Sequence, residues 1–467
     1  MKKIYMIGIK GVGMTMLAQF LAAKGVEVTG SDVKEKFMTD EVLKKSGIKV
    51  IENFDTKNIP NDAYLIIYST AYNESTNIEV KMAKEGKTKV LAYAEALGQI
   101  FNDQYGIAVA GSHGKTTTTA WLGFVMQQAG LHPNVLVGAS VPQFDGCAIV
   151  GPSDYLVIEA DEYQNKLRYF DPKAVLLNNI DYDHPDFFPA PDDYEQAFIE
   201  FIAKIPKKGF LVANFDDSII RKIVNVNSRA KVISYAINEA ADYVAYNIKF
   251  FNGKQFFKVK IGVENDTDEE DLILNKELGD FSIQLSGRHN IYNALAVIAA
   301  SIELGINLSD IRKALEDFSG TARRMQTLGE YNGAIIIDDY AHHPTEIKAT
   351  LSGIKELYPK KNKIVVFHPH TFTRTKALLN DFAKSFNDAD ELIVIDIYGS
   401  AREVHGGVSS EDLVNKIKEA NQRTKASYIS TLNEVEKYLR KKIGSQDVVI
   451  LMGAGDIFRV GERLIKN

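Results

Sequence analysis

The sequence has only one cysteine, no long apolar run and no excess of positive charge. Cys147 has no second thiol to pair with, which excludes an internal disulfide framework and fits a reducing compartment. No apolar run approaches the roughly 18 residues needed to cross a bilayer. The net charge of −6 gives no electrostatic footprint for nucleic acid. We therefore expect a protein that binds neither a membrane nor nucleic acid.

The rest of the composition is that of an ordinary soluble globular protein. With 467 residues the chain is too long for one hydrophobic core, so several domains are expected. Hydrophobic residues account for 45% and charged residues for 25%, as in globular proteins generally. The apolar stretch after Lys2 and Lys3 predicts a strand that leads into a glycine turn, not a signal peptide. We therefore expect a cytoplasmic location.

A phosphate-binding loop is the clearest motif in the chain. Residues 111–119 read GSHGKTTTT, after a predicted buried strand at 106–110 and before a predicted helix at 120–126. Backbone amides in such a turn, with the positive end of the helix dipole, surround a polyphosphate. Lys115 would reach the terminal phosphates, and the Thr116 hydroxyl would bind Mg²⁺. The predicted nucleotide-phosphate site comprises Gly111, Ser112, His113, Gly114, Lys115, Thr116 and Thr117.

A second glycine-rich turn follows a predicted strand at 4–7. Asp32 lies about 20 positions after its glycines, as in dinucleotide-binding folds. Another predicted strand, at 63–68, ends in small and hydroxyl side chains at the same sheet edge. Such a turn suits any diphosphate, from a nicotinamide dinucleotide to a nucleotide sugar; a Rossmann-like domain without a ligand is the alternative. The candidate residues at this edge are Gly11, Val12, Gly13, Met14, Ser31, Asp32, Ser69 and Thr70.

Candidate metal ligands follow two more predicted strands, at 155–158 and 174–177. The first strand leads directly into Glu159, and the second leads through a short acidic segment to His184. Mg²⁺ prefers oxygen ligands, so Glu159 is the more orthodox of the two. Imidazole also binds divalent ions. A solvated acidic loop is the alternative interpretation of Glu159.

The chain between the metal ligands and its C-terminus carries three further signals. Asn290 and Asn293 lie three positions apart on a predicted helix, where paired amides could read an adenine edge or cap the helix. An Asn-Gly pair at 252–253 predicts a β-hairpin excursion before that helix. After residue 320, alternating strands and helices with polar strand ends predict another α/β domain.

Taken in order, these strings resemble the Mur ligases, the ATP-dependent enzymes that form amide bonds in peptidoglycan precursor synthesis. The supporting strings run nearly end to end and include EADE at Glu159, DH at Asp183 and GxHNxxNA at Gly287. The most telling are DDYAHHPTE at Asp338 and HPHTFTRT at His368. Within the family the chain is most similar to the branch that attaches L-alanine to UDP-N-acetylmuramate.

The resemblance implies an α/β fold with three domains. A Rossmann-like domain for the UDP-sugar would span 1–104, and a P-loop ATPase domain with a mixed sheet and a small β excursion would span 105–320. A Rossmann-like domain for the amino acid would span 321–467. The implied cofactors are ATP and Mg²⁺, and the amide would form through an acyl phosphate. The implied biology is cell wall biogenesis, with cell shape, cell division and the cell cycle, in a cytoplasmic monomer or homodimer.

The resemblance also implies roles for individual residues. The catalytic residues would be Lys115, His184, Arg324, Asp339 and His342. Arg324 and Asp339 would join Asn290 and Asn293 in binding ATP. The metal ligands would be Thr116, Glu159 and His184. The UDP-sugar would lie at the N-terminal glycine turn described above. The amino-acid pocket would comprise His342, His370, Thr373, Arg374, Tyr398, Arg402 and Glu403.

Three positions depart from the family pattern. Lys10, Tyr93 and His368 stand where glycine, arginine and glutamine are usual. The segments 161–163 and 178–179 resemble a sister enzyme that attaches the preformed tripeptide L-alanyl-γ-D-glutamyl-meso-diaminopimelate to the same UDP-sugar, whereas HPHTFTRT favours an amino acid. A nicotinamide-dependent oxidoreductase would leave the phosphate loop and the last domain unexplained. A non-catalytic phosphate-loop regulator is the remaining alternative.

Overall fold

The computed structural model describes residues 2–37, 39–262, 276–399, 406–420 and 423–466. These residues form three sheets of five, ten and six strands, each flanked by helices. Each sheet lies within one of the three predicted segments, whose exact boundaries stay predictions. Among the described residues, no helix is long and apolar enough to cross a membrane.

The first sheet is parallel, with the strand order β3-β2-β1-β4-β5. β2 and β4 lie on opposite sides of β1, because the chain crosses from β3 over to β4. This reversal creates the switch point where open α/β sheets bind ligands. The strands are β1 (Lys3–Ile7), β2 (Glu27–Ser31), β3 (Lys49–Ile51), β4 (Leu65–Tyr68) and β5 (Lys89–Ala92). The helices are α1 (Val12–Ala23), α2 (Asp40–Lys45), α3 (Ile78–Glu85) and α4 (Tyr93–Asn102).

The second sheet is mixed and has ten strands. They are β6 (Tyr105–Ala110), β7 (Asn134–Val141), β8 (Gly146–Ile149), β9 (Tyr155–Glu159), β10 (Ala174–Leu177), β11 (Phe210–Asn214), β12 (Lys231–Ala236), β13 (Tyr243–Phe251), β14 (Lys254–Ile261) and β15 (Lys276–Ile283). The helices are α5 (Lys115–Gln128), α6 (Pro191–Ile202), α7 (Ser218–Asn227), α8 (Arg288–Glu303) and α9 (Leu308–Asp317). The strand order is β15-β14-β13-β12-β11-β10-β6-β9-β7-β8.

The predicted β excursion is the antiparallel end of this sheet. β13 pairs with β14 across a two-residue turn at Asn252 and Gly253, whose φ values are both positive. An Asn-Gly pair adopts that backbone readily, which confirms the hairpin signal. The excursion therefore extends the central sheet and does not form a separate unit.

The central sheet is covered on one face by α5 and α8, which are buried on all sides. From Thr116 to Met126 every residue of α5 is buried, which explains why this helix lacks a polar face. Trp121 stacks on Phe318 with ring centroids 5.2 Å apart. The helix that follows the phosphate loop is therefore held rigidly in the core.

The third sheet has the order β16-β17-β21-β18-β19-β20, and only β16 is antiparallel. The strands are β16 (Gln326–Tyr331), β17 (Ala334–Asp339), β18 (Asn362–Phe367), β19 (Glu391–Val394), β20 (Lys425–Tyr428) and β21 (Asp447–Met452). The helices are α10 (Pro344–Leu357), α11 (Phe372–Ala377), α12 (Leu379–Ala383), α13 (Ser410–Ala420), α14 (Leu432–Lys442) and α15 (Phe458–Ile465). The adjacent carboxyl ends of β17, β21 and β18 bring the predicted polar segments to one edge.

Gly30 tests how tightly the first sheet is packed. A Cβ at Gly30 would lie 2.2 Å from the backbone oxygen of Met6 on the neighbouring strand. We expect Gly30→Ala to lower stability by about 1–3 kcal/mol, the usual cost of overpacking, and to lower the thermal unfolding midpoint. Gly444→Ala is the matched control, because a Cβ there meets nothing within 4 Å. Equal midpoints for the two variants would contradict the packing argument.

Candidate functional site

The phosphate-loop turn joins the carboxyl end of β6 to the start of α5, and its shape depends on two glycines. Gly111 and Gly114 have φ values of +126° and +79°, a region that L side chains rarely adopt. A Cβ on Gly111 would lie 2.8 Å from the backbone oxygen of Asn179, and one on Gly114 would lie 2.6 Å from Oδ1 of Asn293. The turn therefore has no room for a side chain at either position.

Lys115 is folded back over this turn. Its Nζ donates to the backbone oxygens of Gly111 and Ser112, at 2.5 and 3.0 Å, and to Oε2 of Glu162 at 2.8 Å. Burial alone would lower the pKa of Lys115, but the carboxylates of Glu162 and Asp161 outweigh it and raise the pKa. The loop thus holds a positive charge where the motif places the terminal phosphates.

Two of the predicted metal ligands meet beside the loop. Thr116 Oγ1 donates to Oε2 of Glu159 at 2.9 Å, and the other oxygen of that carboxylate accepts a backbone amide. Burial raises the pKa of Glu159, and these hydrogen bonds offset the rise only in part. His184 has its Nε2 3.8 Å from the carboxylates of Glu162 and Asp183. A buried carboxylate beside a hydroxyl fits a hard cation such as Mg²⁺.

A cavity of about 920 Å³ opens beside the loop, between the central and C-terminal domains. Its size is that of a small-molecule or cofactor site. Nδ2 of Asn293 donates to Oδ1 of Asn290 at 3.1 Å, and Asn290 donates to the backbone oxygen of Ser286. The two side-chain amides therefore lie together, and that of Asn290 also bonds to Ser286, just before the start of its own helix. The predicted site residues that line the cavity are His113, Gly114, Thr117, Asn290, Asn293, Arg324 and Asp339.

Asp339 organises the C-terminal side of this cavity. Its carboxylate accepts the amides of Met325 and Ala341, at 2.7 and 2.8 Å, and the hydroxyl of Thr350 at 3.1 Å. These bonds hold the turn that carries Arg324 against the end of β17. Burial raises the pKa of Asp339 and the nearby Arg324 guanidinium opposes that rise. Asp339 thus positions Arg324 in this structure.

Glu346 connects three of the cavity's polar groups. Its Oε1 lies 3.6 Å from the Arg324 guanidinium and 3.3 Å from Nδ1 of His113. Its Oε2 accepts the backbone amide of His342 at 3.0 Å. Burial lowers the pKa of His113, but hydrogen bonds to Asp181 and Glu346 outweigh this and raise the pKa to about 9. His113, on the phosphate loop, therefore bridges carboxylates from two domains.

A buried ion pair also joins these domains. Arg374, on α11, donates from Nε to Oδ1 of Asp183 at 2.9 Å and from a terminal nitrogen to Oδ2 at 3.2 Å. Both side chains are at least nine-tenths buried. Burial would raise the pKa of Asp183, but Arg374 holds it well below its usual value. A predicted amino-acid-binding residue thus also closes the domain interface.

The other predicted amino-acid-binding residues gather around Arg374. His370 has its Nδ1 3.2 Å from Arg374 and its ring stacked on Tyr398, with centroids 5.9 Å apart. The His342 ring lies edge-on to His370 at 6.0 Å. Burial lowers the pKa of His342 to about 4 and that of His370 to about 3, so both imidazoles are neutral at pH 7. Thr373 precedes Arg374 on α11.

Two members of the predicted amino-acid pocket, Arg402 and Glu403, lie outside the described residues. The pocket is therefore described on the sides formed by the ends of β17 and β18 and by Tyr398.

The N-terminal glycine turn lies at the switch point of the first sheet. A Cβ on Gly8 would lie 2.8 Å from Cβ of Ser69, so the turn and the end of β4 are in contact. Ser31 and Asp32 are both buried. Ser31 bonds to Glu79, and Asp32 accepts the backbone amide of Lys10 at 2.7 Å. Within this structure Asp32 therefore holds the turn, whereas the Ser31 side chain connects the end of β2 to α3.

The remaining residues of this edge lie on the turn and on the loop after β4. Gly11 is the N-cap of α1, and Val12 and Gly13 form the helix's first turn. Met14 is buried below them. Thr70 follows Ser69 in the loop. Their predicted contacts with a UDP-sugar stay predictions.

Two of the departures from the family pattern have clear structural roles. Lys10 is 1% exposed, and its Nζ donates to the backbone oxygens of Val33 and Glu35, at 2.9 and 3.0 Å. Lys10 thus fastens the segment after β2 and points away from the glycine turn. The phenol of Tyr93 packs against Gly13, where a Cβ would lie 2.9 Å from its hydroxyl.

Sequence reasoning missed several groups that the tertiary structure brings to the site. Glu162 holds Lys115, Asp183 holds Arg374, and Glu346 holds His113 and His342. Each of these acids stands inside a string that was recognised from sequence. Their partners come from distant parts of the chain, which no local spacing indicates.

A phosphate loop completed by charged groups from a second α/β domain defines a nucleotide-using enzyme that works at a domain interface. Family models match along the chain: "Mur ligase family, catalytic domain" at 3–105, "Mur ligase middle domain" at 109–301 and "Mur ligase, glutamate ligase domain" at 323–455. The chain belongs to the Mur ligase family, whose members are ATP-dependent. This membership confirms the predicted family and the three-domain α/β fold. It also excludes the alternative of a nicotinamide-dependent oxidoreductase.

Individual relatives extend over the whole chain. The UDP-N-acetylmuramate–L-alanine ligase of Desulfitobacterium hafniense is 40% identical over 465 residues, covering 99% of each chain. Among solved structures, the UDP-N-acetylmuramate-alanine ligase MurC of Thermotoga maritima is 25% identical, with a TM-score of 0.81 over 100% of this chain and 99% of that one. A murein peptide ligase of Psychrobacter arcticus shares the fold, with 23% identity and a TM-score of 0.73 over 100% of this chain and 98% of that one.

Loss of Arg374 tests the domain contact. Arg374→Met would leave Asp183 buried without a counter-ion, which typically costs about 3–5 kcal/mol. We expect the domains to separate, so that small-angle X-ray scattering shows a larger radius of gyration. Lys355→Met, which removes an exposed ion pair with Asp388, is the control and should leave the radius unchanged. An unchanged radius for Arg374→Met would show that this pair does not hold the domains together.

His368, the third departure, makes the C-terminal domain sensitive to acid. Burial lowers its pKa to about 4, and within the described structure its Nδ1 has no hydrogen-bond partner. The unfolded imidazole therefore takes up a proton below about pH 6.5, whereas the folded one stays neutral down to about pH 4. His368 thus contributes a loss of stability as the pH falls through this window.

We expect His368→Gln to remove that loss. Relative to the wild type, the variant should gain on the order of 3 kcal/mol between pH 7.5 and pH 4 in urea unfolding experiments. The exposed His132→Gln variant is the control and should follow the wild-type pH dependence. Parallel pH profiles for His368→Gln and the wild type would refute the assignment.

Proposed function

We propose that this protein is an ATP-dependent ligase that joins L-alanine to the lactyl carboxylate of UDP-N-acetylmuramate. The observation that carries the proposal is the meeting of the phosphate loop with His342, His370 and Arg374 at one domain interface. Full-length relatives bear the name of this activity, and the Thermotoga maritima ligase shares the fold over the whole chain. The reaction would serve peptidoglycan synthesis, and hence cell wall biogenesis, cell shape and cell division.

The chain's own charges suit the activation of a carboxylate by ATP. The loop amides and Lys115 would bind the phosphates, while Asn290 and Asn293 lie where the base would enter the cavity. Mg²⁺, held by Thr116 and Glu159 with His184 nearby, would supply charge neutralisation on the phosphates. Catalysis would rest on positioning, because the carboxylate must approach the γ-phosphate in line.

The product of that step is an acyl phosphate, which the amine of L-alanine would attack. Arg324 and Lys115 would stabilise the negative charge of the tetrahedral intermediate. The neutral imidazoles of His342 and His370 can accept hydrogen bonds from the incoming amine. The closed interface at Asp183 and Arg374 would keep water from the acyl phosphate.

Other features stay predictions. We propose that the glycine turn of the first sheet binds the UDP-sugar, because it lies at the switch point of a parallel sheet. A cytoplasmic location and a monomeric or homodimeric state are also retained as predictions. The tripeptide-recycling activity is the alternative acceptor specificity within the same family.

Acceptor choice is tested by phosphate release from ATP with Mg²⁺ and UDP-N-acetylmuramate. We expect turnover with L-alanine, and much slower turnover with glycine, L-serine or the tripeptide L-alanyl-γ-D-glutamyl-meso-diaminopimelate. Preference for glycine or L-serine would change only the amino acid assigned to the C-terminal domain and would leave the proposed ligase reaction in place. Turnover with the tripeptide alone would make the protein a recycling ligase.

The phosphate loop is tested in the same assay. Lys115→Ala should reduce turnover on the order of 10³-fold or more, because a charge-stabilising donor is lost, while circular dichroism shows an intact fold. Lys45→Ala, at an exposed pair with Asp145, is the control and should keep full activity. Unchanged ADP release by Lys115→Ala would refute the role given to the loop.

A further inference from the structure

A second group of side chains that could hold a metal ion includes a residue of the phosphate loop. It consists of His113, Asp181 and His343, which we call the interdomain histidine cluster. His113 lies on the loop, Asp181 follows β10, and His343 is the N-cap of α10 in the C-terminal domain. One ligand atom from each lies within 4.8 Å of the others. The cluster therefore spans the same interface as the Asp183–Arg374 pair.

The distances are close to those of a metal site. Oδ2 of Asp181 lies 3.0 Å from Nε2 of His113 and 3.5 Å from Nδ1 of His343. Tetrahedral ligands with bonds of about 2.0–2.1 Å lie about 3.3 Å apart. The ligand nitrogens of His113 and His343 lie within 4.8 Å of each other, so the two rings would move closer together on binding a cation.

The surroundings orient both imidazoles for a cation. Nδ1 of His113 faces Oε1 of Glu346 at 3.3 Å, and a carboxylate on the second nitrogen is the usual partner of a metal-binding histidine. Nδ1 of His343 accepts the backbone amide of Thr345 at 3.4 Å, a long and weak hydrogen bond that a cation would have to replace. Oδ2 of Asp181 also accepts the hydroxyl of Thr345 at 2.6 Å, so a cation bound here would share this oxygen with that hydrogen bond.

The chemistry of the ligands selects the metal. Two imidazoles with one carboxylate form a set that suits Zn²⁺ and its first-row neighbours, whereas Mg²⁺ prefers oxygen ligands. A water molecule would take the fourth position, facing the cavity that His113 and Asp181 help to line.

We propose that the interdomain histidine cluster binds a zinc-like divalent ion that ties the phosphate loop to the C-terminal domain. The bound ion would hold the domains in the closed arrangement and restrain His113, so excess Zn²⁺ would slow any reaction that needs the domains to open. The proposal concerns metal binding and does not depend on which substrates the protein uses.

Cobalt(II) provides a direct test, since tetrahedral Co²⁺ absorbs visible light and replaces Zn²⁺ in such sites. The full-length, chelator-treated protein is titrated with Co²⁺ in excess Mg²⁺, which occupies the Thr116–Glu159 site. We expect one equivalent to bind, with the absorption of a tetrahedral complex, and Zn²⁺ to displace it. X-ray absorption should show two histidine nitrogens around the metal.

Three variants locate the site. Asp181→Asn and His343→Gln should each weaken Co²⁺ binding at least tenfold, whereas Glu159→Gln, at the Mg²⁺ site, should bind like the wild type. Circular dichroism confirms that each variant is folded. The proposal is overturned if the wild type binds no stoichiometric Co²⁺, if the metal shell lacks histidine nitrogens, or if binding is lost in Glu159→Gln and retained in the other two.

Discussion

The buried contact between Asp183 and Arg374 is the interaction on which the rest of the site depends. It brings the edge of the C-terminal sheet against the carboxyl edge of the central sheet, so that the phosphate loop and the histidines of the other domain face one cavity. A buried ion pair is costly to form and costlier to break on one side, which makes it a specific closing contact. Neither domain alone forms the whole lining of this cavity.

Among the described residues of this site, Lys115, Arg324 and Arg374 each lie beside a carboxylate. Glu162 holds Lys115, Glu346 lies beside Arg324, and Asp183 holds Arg374. These pairs keep long basic side chains ordered near the positions where phosphate and carboxylate groups would bind. A bound ligand would have to compete with the carboxylates for these side chains. Such preorganisation suits a reaction that depends on charge stabilisation, because little rearrangement is then needed during the chemical step.

The three departures from the family pattern are accommodated by local packing. Lys10 stands where a small residue is usual, and its side chain packs against the segment after β2. Backbone oxygens of that segment accept hydrogen bonds from its Nζ. Tyr93 fits because Gly13 leaves room for its ring. His368 occupies a pocket bounded by Gly453 and Gly455, where a Cβ on either glycine would lie within 3 Å of the histidine. Substitutions that look radical in sequence are therefore absorbed by neighbouring glycines or backbone acceptors.

The sequence by itself determined the α/β class, the family and the strand, turn and helix around the phosphate loop, because these depend on local signals, whereas the contact of Thr116 with Glu159 joins residues 43 positions apart and is seen only in the structure. The sequence also placed Asn290 and Asn293 on one helix face, since that spacing is local too. Only the tertiary structure decided that Asp339 positions Arg324, that Arg374 binds Asp183, and that His113 lies between Asp181 and Glu346. Those contacts join residues far apart in the chain, and their geometry follows from how the domains pack.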